Sequence, residues 1–460
     1  MKKQIYPALS TEELSEKDKK HYIHPTTVPK AFIDEGPKII FSKGKGVRVE
    51  DPEGTSYIDG ISMLWNVNLG HGQAELADAA YEQMNKLAFG SSFYGYSNEV
   101  AIHLTDKIAE MAPGDLNAVF LTSGGSEAND SAFKLARFYW DLQGKPKKKK
   151  IISIKNGYHG VTVSAGTATS LAAFHKFSGS YDPDILTAKS HLTNCEQGDR
   201  TDPDFEGSIR DIIEKEGAEN IAGVIMETIQ GSGGVHVPPE GYLQAVKDLC
   251  EEKNVLFIAD EVICGFGRTG EMFGVDHWDI KPDMLCFAKG VTSGYMQLGG
   301  VLVTQEIRDT LVQYDNVLAH GFTYSGHPVA CAVGLKNLEI IERDNIVDNV
   351  KNMEKELLKG FDYLESKHPH FTKPRAKGLL AGFELQADRE NDQNFESSFR
   401  ADAALVEECY QRNLLLRPIG NPEIGENIVA VSPPLTVTKQ EIEEIINILD
   451  DALDAFEKKW

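Results

Sequence analysis

Nothing in these 460 residues approaches the unbroken apolar run needed to span a bilayer. No apolar core follows the basic start Met1-Lys2-Lys3-Gln4, so a secretory signal is not expected. Positive charge is scarce: 47 Lys and Arg stand against 70 Asp and Glu, a formal net charge of −23. That balance argues against nucleic acid or an anionic membrane as a partner. It leaves open an anionic small molecule, which answers to the local field of its pocket. The six cysteines (Cys195, Cys250, Cys264, Cys286, Cys331, Cys409) form no Cys-x-x-Cys pair. Several sit inside apolar runs, as buried free thiols do, which fits a reducing cytoplasm and no structural metal. Repeats and low-complexity segments are also missing. The one basic block, Lys147–Lys150, follows Gly144 and Pro146 and reads as a solvated loop.

What is present is the composition of an ordinary soluble globular protein, 41% hydrophobic and 25% charged, on a chain too long for one compact core. Three regions are expected. Residues 1–72 form an N-terminal segment that packs with a small domain; its first thirty residues are polar and poorly periodic. Strands are expected there at 39–41, 47–49 and 57–58. In 73–330, strands at 118–121, 151–154, 222–226, 255–259, 284–288 and 299–303 alternate with helices. That alternation predicts a large α/β domain with a mostly parallel sheet flanked by helices. Residues 331–460 read as a smaller α+β domain, with helices at 328–342, 345–366 and 438–459 and strands near 379–385 and 427–431.

Two of these strands end abruptly in charge. Met284-Leu285-Cys286-Phe287-Ala288 runs into Lys289, and Val255-Leu256-Phe257-Ile258-Ala259 into Asp260-Glu261. Open α/β sheets place their ligands at this carboxyl edge. A lysine desolvated there loses preference for its ammonium form and can hold an aldehyde as a Schiff base. An acid beside it can keep a heterocyclic nitrogen protonated, and the two together are what pyridoxal phosphate requires. In Leu121-Thr122-Ser123-Gly124-Gly125-Ser126, a small-residue turn opens a helix whose amides, with the Ser126 hydroxyl, suit a phosphate. Gly265-Phe266-Gly267-Arg268-Thr269-Gly270 matches a dinucleotide fingerprint only nominally. It starts five residues past Asp260 and no helical pattern follows, so a tight loop beside the site is the better account.

Thr122–Asp130, Tyr158-His159-Gly160, Ala259–Gly270 and Phe287–Gly290 occur in the order of the class III aminotransferases, and the chain resembles that family from about residue 35 to 455. The resemblance implies the fold-type I architecture and pyridoxal 5′-phosphate as cofactor. Lys289 then resembles the Schiff-base lysine and proton carrier, and Asp260 the partner of the pyridine nitrogen. Val262 and Tyr158 would lie on the two ring faces, and Gly125 and Ser126 on the phosphate. His159 belongs to the same cofactor-binding set, as does Glu227, with Gln230 nearby in sequence. Thr323 resembles the threonine that reaches the phosphate of a neighbouring subunit, which implies a homodimer or a dimer of dimers. The family commonly has Ser-Gly-Ser where this chain has Gly124-Gly125-Ser126, so position 124 offers no hydroxyl.

Leu64-Trp65-Asn66-Val67-Asn68-Leu69-Gly70 is similar to the signature of ω-amino acid and amine:pyruvate aminotransferases. By that resemblance Trp65, Phe93 and Tyr94 line the substrate pocket, and Arg417 pairs with a substrate carboxylate. The implied activity is transfer of an amino group from an ω-amine or ω-amino acid donor, or an aminosulfonate such as taurine, to a 2-oxo acid such as pyruvate. Alternatives stay open: an aminomutase or racemase of the same fold, a diaminopelargonate-type aminotransferase, or a non-catalytic binding protein.

Overall fold

The computed structural model describes residue 7 and residues 9–178, 181–190, 205–396, 398–421 and 425–459. A seven-stranded sheet organises the middle of the chain: β4 (Leu116–Thr122), β5 (Lys150–Ile154), β6 (Ile185–Ala188), β7 (Ile221–Glu227), β8 (Leu256–Asp260), β9 (Met284–Phe287) and β10 (Gly299–Thr304). Their spatial order is β4-β10-β9-β8-β7-β5-β6. β9, β8, β7, β5 and β6 are parallel neighbours, whereas β10 runs antiparallel to both β9 and β4.

Burial on both faces explains the apolar composition of these strands. In β8, Leu256 and Ile258 join the core under the helix Gly125–Leu142, while Phe257 and Ala259 join the core on the opposite face. That helix presents Ala128, Ala132, Ala136 and Trp140 at every fourth position, a narrow stripe of mostly small side chains that lets it lie close to the sheet. By the same two-residue alternation, Asp260 falls on the helix side, at the strand end. Register sets Glu227 beside it on β7, and Cys286 of β9 opposite it, three residues before Lys289.

The remaining two sheets join distant parts of the sequence. β1 (Lys43–Lys45), β2 (Arg48–Glu50) and β3 (Ser56–Asp59) form an antiparallel meander, and β3 then pairs in parallel with β13 (Leu414–Leu415). β11 (Phe371–Lys377), β12 (Leu380–Leu385), β15 (Ile428–Val431) and β14 (Arg417–Pro418) make an antiparallel sheet in that order. The helices Ile346–Lys367 and Lys439–Glu457 contribute Phe361, Leu364, Ile445 and Leu449 to its core.

Several expectations are corrected. Residues 39–41 are not a strand. The hairpin closes through Gly46, whose φ of 57° permits Lys45 to pair with Arg48, so the first strand shifts to 43–45. The early residues include a helix, Thr11–His21, started by a reciprocal cap: Ser10 accepts from the Glu13 amide, and the Glu13 carboxylate from the Ser10 amide. The basic block is not uniformly solvated. Lys147 and Lys149 are exposed, but Lys148 is buried, its ammonium donating to the carbonyls of Ala218, Ile221 and Asn254 at 2.7–3.0 Å. Burial lowers that amine to about 8. Cys250, Cys264, Cys286, Cys331 and Cys409 are buried free thiols; Cys195 lies outside the described residues. Among the described residues no helix is long and apolar enough to cross a membrane.

Candidate active site

The carboxyl edge of β7 and β8 opens into a cavity of about 130 Å³ shared by Lys289, Asp260, Glu227 and Val262, by Tyr158 and His159, and by Gly125 and Ser126. These eight residues come from five separate stretches of the sequence. Lys289 enters from just beyond β9 with a φ of 47°, a left-handed conformation that non-glycine residues adopt at a cost. Burial lowers its amine to about 8, with Asp260 and Glu227 favouring the charged form and Arg417 opposing it. Among the described residues no hydrogen bond or ion pair engages its Nζ.

Asp260 is fixed from three sides. Its Oδ2 accepts from Asn129 Nδ2 and His159 Nδ1, both at 2.8 Å, and its Oδ1 from the Val262 amide at 3.1 Å. Asn129 Nδ2 also donates to the His159 carbonyl at 2.7 Å, so the loop Tyr158–Gly160 and the acid are set by one amide. Thr169 secures the loop from behind, its Oγ1 accepting from the His159 and Gly160 amides. Two buried polar atoms here, His159 Nε2 and Asn129 Oδ1, have no partner among the described residues. Glu227 accepts from the Tyr158 and Gly231 amides, each at 2.8 Å. Burial raises its carboxyl to about 7, against the effect of His159.

At the cavity's other end the helix Gly125–Leu142 begins without a side-chain cap, leaving first-turn amides open to a ligand. A Cβ on Gly125 would lie 2.9 Å from Val262 Cγ1, so only glycine lets Val262 press against the helix start. A Cβ on Gly124 would meet nothing within 4 Å. Ser126 Oγ accepts from the Val161 amide at 3.2 Å and keeps its own proton to donate.

Trp65 and Arg417 stand together nearby. The buried Trp65 ring has Arg417 Cζ 4.9 Å and Lys289 Nζ 6.0 Å from its centroid. Among the described residues the Arg417 guanidinium makes no ion pair and no hydrogen bond. Burial disfavours its charge, while nearby Tyr158 favours it. Tyr158, in turn, is set edge-on against Phe174 with ring centroids 5.3 Å apart. The structure does not bring Phe93, Tyr94 or Thr323 into the Lys289 cavity of the same chain. Tyr94 is 93% exposed, Thr323 is exposed, and Phe93 approaches Gly321 instead. Gln230 is buried beside Lys155, to whose carbonyl it donates.

Three lining residues, Asn129, Gly160 and Ile263, escape the sequence reading although each lies inside or beside a quoted motif. For Asn129 a signal was available: it sits one helical turn after Gly125 and therefore on the same face.

A model of the family Aminotransferase class-III matches residues 33–453. The chain is 37% identical to the putrescine–pyruvate aminotransferase of Pseudomonas aeruginosa, over 96% of this chain and 96% of that protein. Among solved structures, a transaminase from the marine bacterium Virgibacillus superposes with a TM-score of 0.93 at 42% identity, covering 97% of this chain and 99% of that one. An (S)-enantioselective omega-transaminase from Thermomicrobium roseum gives 0.91 at 39% identity, covering 98% and 100%.

Proposed function

Since the chain belongs to the class III aminotransferase family, we propose that it is an ω-transaminase, moving an amino group from an ω-amine or ω-amino acid to a 2-oxo acid, with pyruvate as acceptor. The observation that carries this reading is Arg417: a cation without a carboxylate partner among the described residues, placed over Trp65 beside the Lys289 amine. Such a group suits a substrate anion, whether the carboxylate of pyruvate or of an ω-amino acid, or the sulfonate of an aminosulfonate. The relative from Pseudomonas aeruginosa, whose name pairs putrescine with pyruvate, supports the same donor class and acceptor.

The cavity fits pyridoxal 5′-phosphate, the cofactor of this family. It offers a buried unpaired amine at Lys289, an acid fixed by three donors at Asp260, and an uncapped helix start at Gly125 and Ser126. When bound, that cofactor supplies an aldehyde carbon for amines and a ring that spreads the charge left on the donor carbon after proton loss. Lys289 Nζ holds the cofactor and then carries the proton between substrate atoms, a task helped by an amine near 8 rather than its ordinary value. Asp260 stabilises positive charge on the ring nitrogen, with His159 and Asn129 holding its carboxylate in place. Val262 and Tyr158 confine the ring, Ser126 and the open amides bind phosphate, and Glu227 shapes the field from the neighbouring strand. Trp65 walls the substrate side and Arg417 binds the acid. Thr323, Phe93 and Tyr94, exposed on the single chain, act in a second subunit's site, so the working unit is a homodimer; its buried free thiols fit a cytoplasmic setting.

Arg417→Ala should raise KM for pyruvate about tenfold or more, since a charge-assisted pair contributes about 1.5–3 kcal/mol. The half-reaction with a neutral amine should change far less. A panel of amine donors assayed for alanine formation from pyruvate measures both. Equal losses for acid and amine would assign Arg417 a structural role and remove the support for this acceptor.

A further inference from the structure

Arg268 takes no part in the chemistry described above, yet it is fully buried and answered by no carboxylate at hydrogen-bond distance. Its Nη1 donates to the carbonyls of Leu379 (3.1 Å) and Pro433 (2.6 Å). Its Nη2 donates to Ser62 Oγ (2.9 Å) and Asn68 Oδ1 (3.0 Å). Nε is buried without a partner among the described residues, and burial lowers the guanidinium's pKa, with Asp59 opposing. Burying a cation among neutral oxygens is far costlier than burying an amide, so simple cross-linking does not explain the choice of arginine.

The geometry at Ser62 gives a reason. Ser62, Met63 and Trp65 have φ of 49°, 57° and 57°, three left-handed non-glycine residues within four positions. Such a turn persists only where its surroundings over-determine it. Asp59 holds one side, its Oδ1 accepting from the Met63 amide at 2.9 Å and the Ile61 amide at 3.3 Å. Arg268 holds the other. Because Ser62 Oγ accepts from Arg268, its proton is directed to the Ser432 carbonyl at 2.7 Å. Ser432 Oγ then accepts from Trp65 Nε1 at 3.1 Å. Two sets of donors thus converge on Ser432, Arg268 through the Ser62 hydroxyl on its carbonyl and Trp65 on its hydroxyl, which ties Arg268 to the indole that faces Arg417 and Lys289. Only a long, forked cation spans from Ser62 and Asn68 on one side to Leu379 and Pro433 on the other.

We propose that Arg268 is a positioning residue for substrate selectivity: it locks the strained turn 62–65, fixes Trp65, and so sets how much bulk the amine donor can carry beside Arg417. This rests on the reading of Trp65 as the wall of the substrate pocket. Arg268 therefore acts on which amine is accepted, not on proton transfer at Lys289.

The test compares Arg268→Met, Arg268→Lys, Ser432→Ala and Trp65→Phe with the parent enzyme. The first readout is acrylamide quenching of Trp65 emission in the apoprotein, isolated by subtracting the matching variant that also carries Trp65→Phe. The second is the ratio of kcat/KM for a linear alkylamine to that for an arylalkylamine, at fixed pyruvate. Arg268→Met should make Trp65 several-fold more accessible and change the ratio by about tenfold, while kcat for the linear amine stays within about threefold. Arg268→Lys should lie between parent and Arg268→Met. Ser432→Ala, which keeps the buried cation, should move both readouts in the same direction and decides the matter if Arg268→Met does not fold. Unchanged quenching and ratio in Arg268→Met, or in Ser432→Ala should Arg268→Met not fold, would overturn the proposal, as would equal losses for both amines with Trp65 undisturbed. A ratio unmoved by Trp65→Phe would instead remove the pocket-wall reading and the proposal with it.

Discussion

The Lys289 amine can be titrated without any substrate turnover. Burial lowers it to about 8 from an ordinary 10.5. Only the neutral amine attacks an aldehyde, so the rate at which apoprotein captures pyridoxal phosphate should follow the neutral fraction. With a value near 8 that fraction is about 9% at pH 7 and about 91% at pH 9, a tenfold rise that then levels off. An ordinary exposed lysine would gain about a hundredfold over the same interval and keep rising toward pH 10.4. The measurement is the initial rate of cofactor capture by apoprotein from pH 7 to 10, with borohydride reduction and peptide mapping to show that the label sits on Lys289. Glu227→Gln removes a carboxylate that favours the ammonium form, so it should move the half-rise to lower pH. The same shift has a stability consequence with a definite sign. The folded value lies below the unfolded one, so the unfolded chain binds the extra proton between pH 8 and 10.5, and the lysine's burial penalty of about 3 kcal/mol is relieved as pH rises through that window. A capture rate that climbs a hundredfold with no plateau would refute the desolvated lysine, and label recovered on another lysine would refute its role.

Asp260→Asn should lower kcat about a hundredfold or more while the protein still binds cofactor, because three donors converge on a carboxylate that the amide replaces only in part; steady-state kinetics beside cofactor stoichiometry check this, and full activity would contradict the role. Lys148→Met should cost about 1–3 kcal/mol of stability, leaving the carbonyls of Ala218, Ile221 and Asn254, the second of them buried, without their shared donor. Lys147→Met, at an exposed neighbour, should stay within about 0.5 kcal/mol in the same denaturant titration.

The clustering of Lys289 with Asp260 was legible because both stand at strand ends. β8 and β9 are parallel neighbours in register, so the charge that stops each apolar run emerges at one edge of the sheet, and sequence alone places Asp260 near Lys289. The helix start at Gly125 was legible for a similar reason, a small-residue turn between a strand and a long amphipathic pattern. Lys148 was not, since its three acceptors come from 218, 221 and 254, and only the fold shows that these carbonyls converge. The strand expected at 39–41 failed because apolar content alone suggested it, whereas the turn at Gly46 sets the register. The helix Thr11–His21 was missed because the apolar periodicity there is weak, although Ser10 and Glu13 have the spacing of a reciprocal cap. Phe93, Tyr94 and Thr323 were assigned to the site by resemblance alone, and one chain's structure leaves them on its surface.

The parallel pairing of β3 with β13, and the bond from Trp65 to Ser432, also fix a timetable. A ribosome has released every strand of the central sheet, and Lys289 with them, by about residue 304. Trp65 left the exit tunnel long before, but the serine that holds its indole is roughly 140 residues beyond Lys289, about 7 to 30 seconds of synthesis at common rates. A nascent chain in that interval can gather the residues of its cofactor cavity while the turn at 62–65 has nothing to hold it. On the proposed roles of Lys289 and Trp65, reactivity toward an aldehyde is built early and discrimination among amines comes later.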